Sequence, residues 1–170
     1  MRCGPYTVVH KEHIEYYLDA GSGIGYRANS NQHWMIETYA ARGIALDRAI
    51  FWEGKAAQGA EPYADVPPEL FPMFTFYNIL APLDLKDGRN PLNVLTRLAR
   101  PEDFVSVKID IDEPRIEASW FEAILGEGPA GAARSVYAAL IDELFWEHHF
   151  DFQPMRQLPM CVEAGPGAVG

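Results

Sequence analysis

Short apolar runs alternate with amphipathic segments along the chain, as expected when strands alternate with helices. Each run has about the length of a strand, and several are rich in β-branched or aromatic residues. The predicted strands cover residues 14–18, 46–52, 73–80, 103–112 and 145–150. The fourth run is almost continuously apolar, which is typical of a central parallel strand that is covered on both faces. The pattern therefore predicts an α/β fold with a mostly parallel sheet of about five strands.

Capping signals mark the ends of the predicted helices. The helices are predicted from residues 29–31 to 43, from 90–91 to 101, from 114 to 126, and over 132–144. Asn90 followed by Pro91 combines an N-cap residue with proline at the first helical position, and Gly43 and Gly126 are placed to end helices. Trp34 in the first helix is expected to pack in the core.

A glycine-rich turn follows the first strand, in the sequence Asp-Ala-Gly-Ser-Gly-Ile-Gly. Gly21, Gly23 and Gly25 allow a sharp turn and let a ligand approach the backbone without a Cβ in the way. Asp19, at the strand end, can order a cation or a network of hydroxyl groups. A flexible surface turn is the alternative interpretation.

An acidic residue also ends the second predicted strand. Glu53 lies 28 residues after Gly25, somewhat further than the roughly 20 residues of the dinucleotide-binding fingerprint. In nucleotide-binding α/β folds this position accepts hydrogen bonds from ribose hydroxyl groups. Asn78, near the end of the third strand, falls where a group that contacts adenine would lie, although a strand-end turn residue is an equally good interpretation.

Three segments together resemble the FkbM-type methyltransferases: the glycine turn after Asp19, the strand ending in Glu53, and the Lys-x-Asp-x-acid strand of Lys108, Asp110 and Asp112. The likeness is closer to an uncharacterised algal and protist branch, in which an acidic-aromatic stretch ending in Glu-His-His follows, here residues 141–149. It covers roughly residues 14–156.

The resemblance implies a three-layer, Rossmann-like class I methyltransferase fold that binds S-adenosylmethionine. Asp19 and the three glycines would hold the methionine and ribose part, Glu53 would hold the ribose hydroxyl groups, and Asp110 and Asp112 would face the reaction space. The chain departs from the family at residues 113–115, where glycine, a small residue and glutamate are usual. It also departs after about residue 155, where the edge strands of the family's sheet are missing.

Methylation of a small-molecule or sugar hydroxyl group needs a base that removes the proton of the hydroxyl. The candidates are Asp110, Asp112, His148 and His149, at the carboxyl ends of the fourth and fifth strands. Together with Glu147, the same side chains are capable metal ligands, so a metal-dependent enzyme is a second hypothesis. A non-catalytic nucleotide-binding or assembly module is a third, because the sheet would be incomplete.

The composition of the chain disfavours several classes of binding partner. A net charge of −10 over 170 residues disfavours binding to nucleic acid or to anionic membranes, and no apolar run approaches the roughly 20 residues of a membrane-spanning helix. We therefore expect a cytoplasmic protein with a small-molecule substrate. Residues 1–156 are expected to form one domain and residues 157–170 a disordered tail. The incomplete sheet would leave an open edge through which a homo-oligomer could form.

Overall fold

Five strands form one all-parallel sheet in the computed structural model, which describes residues 12–27, 31–54, 62–63, 65–126 and 135–146. The strands are β1 (Glu15–Ala20), β2 (Arg48–Trp52), β3 (Phe74–Tyr77), β4 (Phe104–Ile109) and β5 (Glu143–Trp146). The helices are α1 (Gln32–Ala41), α2 (Pro91–Leu98) and α3 (Pro114–Leu125), and two short 3₁₀ turns cover Phe71–Met73 and Tyr137–Ala139. The predicted α/β fold with five strands is confirmed.

The strand order β3-β2-β1-β4-β5 creates a switch point between β1 and β4. From β1 the chain builds the sheet outward to β2 and β3, and it then returns to add β4 and β5 on the other side. Open α/β sheets bind ligands outside the carboxyl ends of the strands at such a point. The register pairs Asp19 of β1 with Lys108 of β4 and with Phe51 of β2.

Helices cover both faces of the sheet, which gives three layers. On one face, α2 and α3 pack against the strands through Leu92, Leu95, Trp120 and Ile124. On the other face, α1 packs through an apolar stripe of Met35, Ile36 and Tyr39. Because side chains alternate across a strand, β1 supplies Leu18 to the first core and Tyr17 to the second.

Tyr39 also attaches α1 to the sheet by polar contacts. Its hydroxyl group lies 2.7 Å from the hydroxyl of Ser106 in β4 and donates to a carboxylate oxygen of Glu143 in β5 at 2.6 Å. Burial, together with the bond to Glu143, raises the pKa of Tyr39. The side chain therefore stays a neutral donor that joins one helix to two strands.

The helix predicted over residues 132–144 is wrong for the part of it that the structure describes. A 3₁₀ turn covers Tyr137–Ala139, and β5 already begins at Glu143. The start of β5 is fixed by Asp142, whose carboxylate accepts the N–H of Val105 at 2.8 Å and whose own N–H donates to the carbonyl of Val105 at 2.9 Å. These bonds align the chain with β4, so Leu144 pairs with Val107 in the sheet.

Other expectations need smaller corrections. The third strand is shorter than predicted, because the 3₁₀ turn takes Met73 at its start and β3 ends at Tyr77, before residues 78–80. Trp34 does not pack in the core, since 57% of its surface is exposed. Gly43 and Gly126 follow α1 and α3 with positive φ angles of 81° and 72°, as their predicted role as helix stops requires. Residues 147–150 and the predicted tail, 157–170, lie outside the described residues.

Replacing Asn90 by alanine is expected to destabilise the fold by about 2 kcal/mol, measured by urea unfolding. The side chain is fully buried. Its oxygen accepts the N–H groups of Leu92 at 2.8 Å and Asn93 at 3.3 Å, and its amide donates to the carbonyl of Pro82 at 2.7 Å. The substitution removes the cap of α2 and leaves a half-buried carbonyl without this donor.

Asn31→Ala is the matched control, because Asn31 is the N-cap residue of α1 but its exposed side chain makes no capping hydrogen bond. We expect the control to change the free energy of unfolding by no more than about 0.5 kcal/mol. Equal losses in the two variants would contradict the role assigned to the Asn90 side chain.

Candidate functional site

A cavity of about 550 Å³ opens at the carboxyl ends of β1, β2 and β4, next to the switch point. The polar residues that line it, here called the polar wall, are Gly21, Ser22, Gly23, Glu53, Lys108, Asp110, Asp112 and Glu113. The apolar residues that line it, here called the apolar wall, are Trp52, Ile79, Leu80, Ala81, Ile111 and Ile116. The described lining thus offers hydrogen-bond acceptors and the ammonium of Lys108 together with an apolar surface that suits a flat, apolar group.

The glycine turn forms the edge of the cavity nearest β1. Gly21, Gly23 and Gly25 have φ angles of 91°, 70° and 93°, in the region that favours glycine. A Cβ on Gly21 would overlap the carbonyl oxygen of Asp110, so this glycine is also required by the close approach of β4. The N–H groups of Gly21 and Ser22 donate to the carbonyl of Trp52 at 2.9 and 3.2 Å. The turn is therefore built against the ends of both neighbouring strands.

Gly25 lies beyond the cavity wall and has a structural role in the described residues. It is buried, and the next two N–H groups, of Tyr26 and Arg27, donate to the carboxylate of Asp65 at 2.6 and 2.7 Å. Asp65 comes from the proline-rich segment between β2 and β3. That segment consequently holds the end of the glycine turn in place.

Glu53 follows β2 and is half-buried at the cavity wall. One of its carboxylate oxygens accepts the N–H of Gly23 at 3.1 Å, and its own N–H donates to the carbonyl of Tyr77 at the end of β3. The carboxylate is therefore fixed between the glycine turn and the apolar wall that follows β3. This is the position that the sequence predicts for an acceptor of ribose hydroxyl bonds.

Asp19 and Lys108 are buried side by side beneath the polar wall. Lys108 donates to Asp110 Oδ2 at 2.7 Å, and its ammonium lies 3.7 Å from Asp19 Oδ1. The other oxygen of Asp19 accepts a hydrogen bond from the Tyr17 hydroxyl at 2.9 Å. Burial raises the pKa of Asp19 to about 6, because the ammonium and the hydroxyl offset only part of the lost hydration. Lys108 and Asp110 line the cavity, whereas Asp19 is 1% exposed and lies behind them.

The turn after β4 carries the other carboxylates of the polar wall. Asp112 is exposed and has a φ angle of 55°, an unusual conformation for a residue other than glycine. Glu113 is the N-cap residue of α3, without a capping bond from its side chain, and Pro114 begins the helix. This turn is where the sequence departs from the FkbM pattern, and Asp112 adopts the positive φ angle within it.

Glu117, which no sequence motif marks as a site residue, supports this turn by a hydrogen bond to its backbone. It is 2% exposed and accepts the N–H of Ile111 and the indole N–H of Trp146, both at 3.2 Å. Burial raises the pKa of Glu117, and the two N–H groups oppose that rise. Its place in the stripe of α3 was not recognisable, because a lone glutamate in a helix usually faces solvent.

Lys108 is the second site residue whose role the sequence did not assign. In the described structure Lys108 pairs with Asp110 and Asp19. The signal was present, since a lysine interrupts an otherwise apolar central strand two residues before an aspartate. Its pairing with Asp19 needs the β1–β4 register, which the sequence alone does not provide.

The remaining predicted site residues lie apart from this cluster or outside the described residues. Asn78 follows β3 and is exposed, and it is not among the described residues that line the cavity. His148 and His149, together with Glu147, lie outside the described residues, so their predicted roles stay predictions. No group of three or more potential metal ligands is found within the described ranges.

None of the helices in the described part of the chain is both long enough and apolar enough to cross a membrane. Comparison of the chain with protein-family models, with curated proteins and with solved structures found no match.

Proposed function

We propose that this protein is an S-adenosylmethionine-dependent methyltransferase that methylates a hydroxyl group of a small molecule or sugar. The observation that carries the proposal is the placement of Glu53. Its carboxylate is fixed at the carboxyl end of β2, beside a glycine turn, and Ile79, Leu80 and Ala81 of the apolar wall line the same cavity. A nucleoside fits this arrangement with its ribose hydroxyl groups on Glu53 and its base against the apolar wall. The resemblance to FkbM-type methyltransferases points the same way.

The polar contacts of the glycine turn favour a nucleoside over a dinucleotide. Three of its N–H groups are already used: those of Gly21 and Ser22 by the carbonyl of Trp52, and that of Gly23 by Glu53. A pyrophosphate would need such N–H groups. It would also meet the carboxylates of Glu53 and Asp110 at the same wall, which repel it.

The charge of the cavity also fits S-adenosylmethionine, the proposed methyl donor. Among the described lining residues, four carboxylates (Glu53, Asp110, Asp112 and Glu113) face a single ammonium, that of Lys108. Such a wall attracts a cationic group. When bound, S-adenosylmethionine would supply a methyl group on a positively charged sulfur, and on transfer to an oxygen the sulfur would keep the electron pair of the broken carbon–sulfur bond.

The residues of the chain then have three tasks in the transfer. Glu53 and the glycine turn orient S-adenosylmethionine, and the apolar wall, which includes Ile79 and Ile116, reduces the contact of the ligand with water. Asp110, half-buried at the cavity wall next to Lys108, is the best-placed described acceptor for the proton of the hydroxyl. Asp112 lies at the exposed mouth, where the acceptor molecule would enter, and His148 and His149 stay candidates for the same base.

Calorimetric titration with S-adenosylhomocysteine tests the proposal. We expect saturable binding, and we expect Glu53→Gln to weaken it about 10- to 100-fold, because the variant loses charge-assisted hydrogen bonds. Glu122→Gln is the matched control, since Glu122 is exposed on α3 and is not among the residues that line the cavity, and it should bind like the unaltered protein. Absence of binding by folded protein would refute the proposal.

Transfer of a labelled methyl group to a panel of sugars and small hydroxyl compounds tests the catalytic half separately. Turnover that Asp110→Asn lowers by a factor of about 100 or more would assign Asp110 a part in the reaction. Binding without turnover across the panel would favour the non-catalytic nucleotide-binding module, in which the same pocket serves recognition alone.

A further inference from the structure

A row of four polar side chains runs from the core to the cavity on one face of β1 and β4. Tyr17 and Asp19 lie two residues apart on the same face of β1. Lys108 lies beside Asp19 in β4, and Asp110 comes directly after the end of that strand. Tyr17, Asp19 and Lys108 are buried, and only Lys108 and Asp110 reach the cavity wall. The row therefore connects a buried carboxylate, which is not among the described residues that line the cavity, to a carboxylate that lines it.

The two carboxylates share one ammonium unequally. Lys108 Nζ is within hydrogen-bond distance of Asp110, at 2.7 Å, but is 3.7 Å from Asp19 Oδ1. That oxygen of Asp19 is buried and accepts no hydrogen bond within the described structure, whereas the other accepts the Tyr17 hydroxyl. A shift of the ammonium by about 1 Å would bring it into hydrogen-bond distance of Asp19. A short movement thus suffices to change its partner.

We propose that Lys108 moves its hydrogen bond from Asp110 to Asp19 when a positively charged group of the ligand enters the cavity. The cation of the ligand then pairs with the released oxygen of Asp110, and the like charges of ligand and lysine repel each other. The ammonium moves to Asp19 Oδ1, a buried oxygen that accepts no hydrogen bond within the described structure. Asp19 is thereby a positioning residue that acts through Lys108 and selects for cationic ligands.

The inference rests on the proposed function, because it takes S-adenosylmethionine as the ligand. It assigns Asp19 a different role from direct contact with the methionine part, which the resemblance to FkbM-type methyltransferases implies. In the structure Asp19 is 1% exposed and behind the cavity wall, so it influences the ligand through its neighbour. If Asp19 contacts the ligand directly, its effect on ligand affinity does not require Lys108. If Asp19 acts through Lys108, that effect disappears when Lys108 is replaced.

A double-mutant cycle with Asp19→Asn and Lys108→Met makes this distinction. The ligands are S-adenosylmethionine, which is cationic, and 5′-methylthioadenosine, which shares the nucleoside but carries no charge. We expect Asp19→Asn to weaken binding of the cationic ligand about tenfold or more and that of the neutral ligand less than about threefold. In the Lys108→Met background, Asp19→Asn should change neither affinity by more than about threefold.

An equal loss of affinity in both backgrounds would overturn the inference, because Asp19 would then act without Lys108. Thermal unfolding must show that each variant is folded. Should Lys108→Met not fold, the unaltered protein still decides: the ¹⁵N resonance of the Lys108 ammonium should shift on saturation with S-adenosylmethionine and stay in place with 5′-methylthioadenosine. Saturable binding of S-adenosylmethionine with no shift overturns the inference alone, whereas absence of binding overturns the proposed function and the inference together.

Discussion

Gly21→Ala is expected to destabilise the fold by about 3 kcal/mol or more, the largest loss for a single methyl group that we anticipate in this chain. The new Cβ would overlap the backbone carbonyl of Asp110. That carbonyl cannot swing aside as a flexible side chain could, because Asp110 is bound by its own N–H to the carbonyl of Ala20 at 2.8 Å. Relief would require β1 and β4 to separate at the cavity, so binding of S-adenosylhomocysteine should also be lost.

Gly43→Ala supplies the control, because it isolates the cost of the backbone conformation. Gly43 has a φ angle of 81°, close to the 91° of Gly21, but a Cβ there meets no atom within 4 Å. Urea unfolding should show a loss of about 1–2 kcal/mol for Gly43→Ala. Similar losses in the two variants would mean that the strained φ angle alone explains the loss of stability in Gly21→Ala. The backbone at Asp110 would then be able to move away from the new Cβ.

Features of the fold that depend on nearby residues were predictable from the sequence. The apolar run of β4, the glycine turn and the Asn90-Pro91 start of α2 are each encoded within a few positions, and the structure contains all three. Glu53 was predictable in the same way, because a strand fixes the position of the residue that follows it. The carboxyl edge of a parallel sheet then brings such residues together without further information.

Features that depend on register between distant strands were not predictable. Lys108 and Asp19 are neighbours only because β1 pairs with β4 in one register, across nearly 90 residues of sequence. Local periodicity also misled in one place, since Val136, Leu140 and Leu144 have helical spacing but belong to a turn and a strand. The hydrogen bonds of Asp142 to β4 override the local preference there.

The second large effect is expected in the pH dependence of stability. Burial raises the pKa of Asp19 from 3.8 to about 6, so the folded protein binds this proton more tightly than the unfolded chain does. The stabilisation from the bound proton is complete below about pH 4 and is lost as the pH rises through 6. The two pKa values correspond to a difference of about 3 kcal/mol.

Asp19→Asn should remove this contribution. Between pH 4 and 7.5, the variant is expected to gain about 3 kcal/mol relative to the unaltered protein, measured by urea unfolding at each pH. Comparison of the two proteins cancels the effects of Glu117, whose pKa is also raised, and of Asp103, whose pKa is lowered by its backbone N–H partners and Arg100.

Tyr17→Phe provides a variant with the opposite effect on Asp19. The Tyr17 hydroxyl lowers the pKa of Asp19 by donating a hydrogen bond to its carboxylate, so its removal should move the loss of stability to higher pH. If the curves of Asp19→Asn and the unaltered protein are parallel from pH 4 to 7.5, Asp19 is not the titrating group. If only the Tyr17→Phe curve fails to move, the hydroxyl is not what holds Asp19 in its charged form. The charged form of Asp19 would then be stabilised by Lys108 and not by Tyr17. A cationic ligand that displaces Lys108 towards Asp19 would therefore also change the pH dependence of stability.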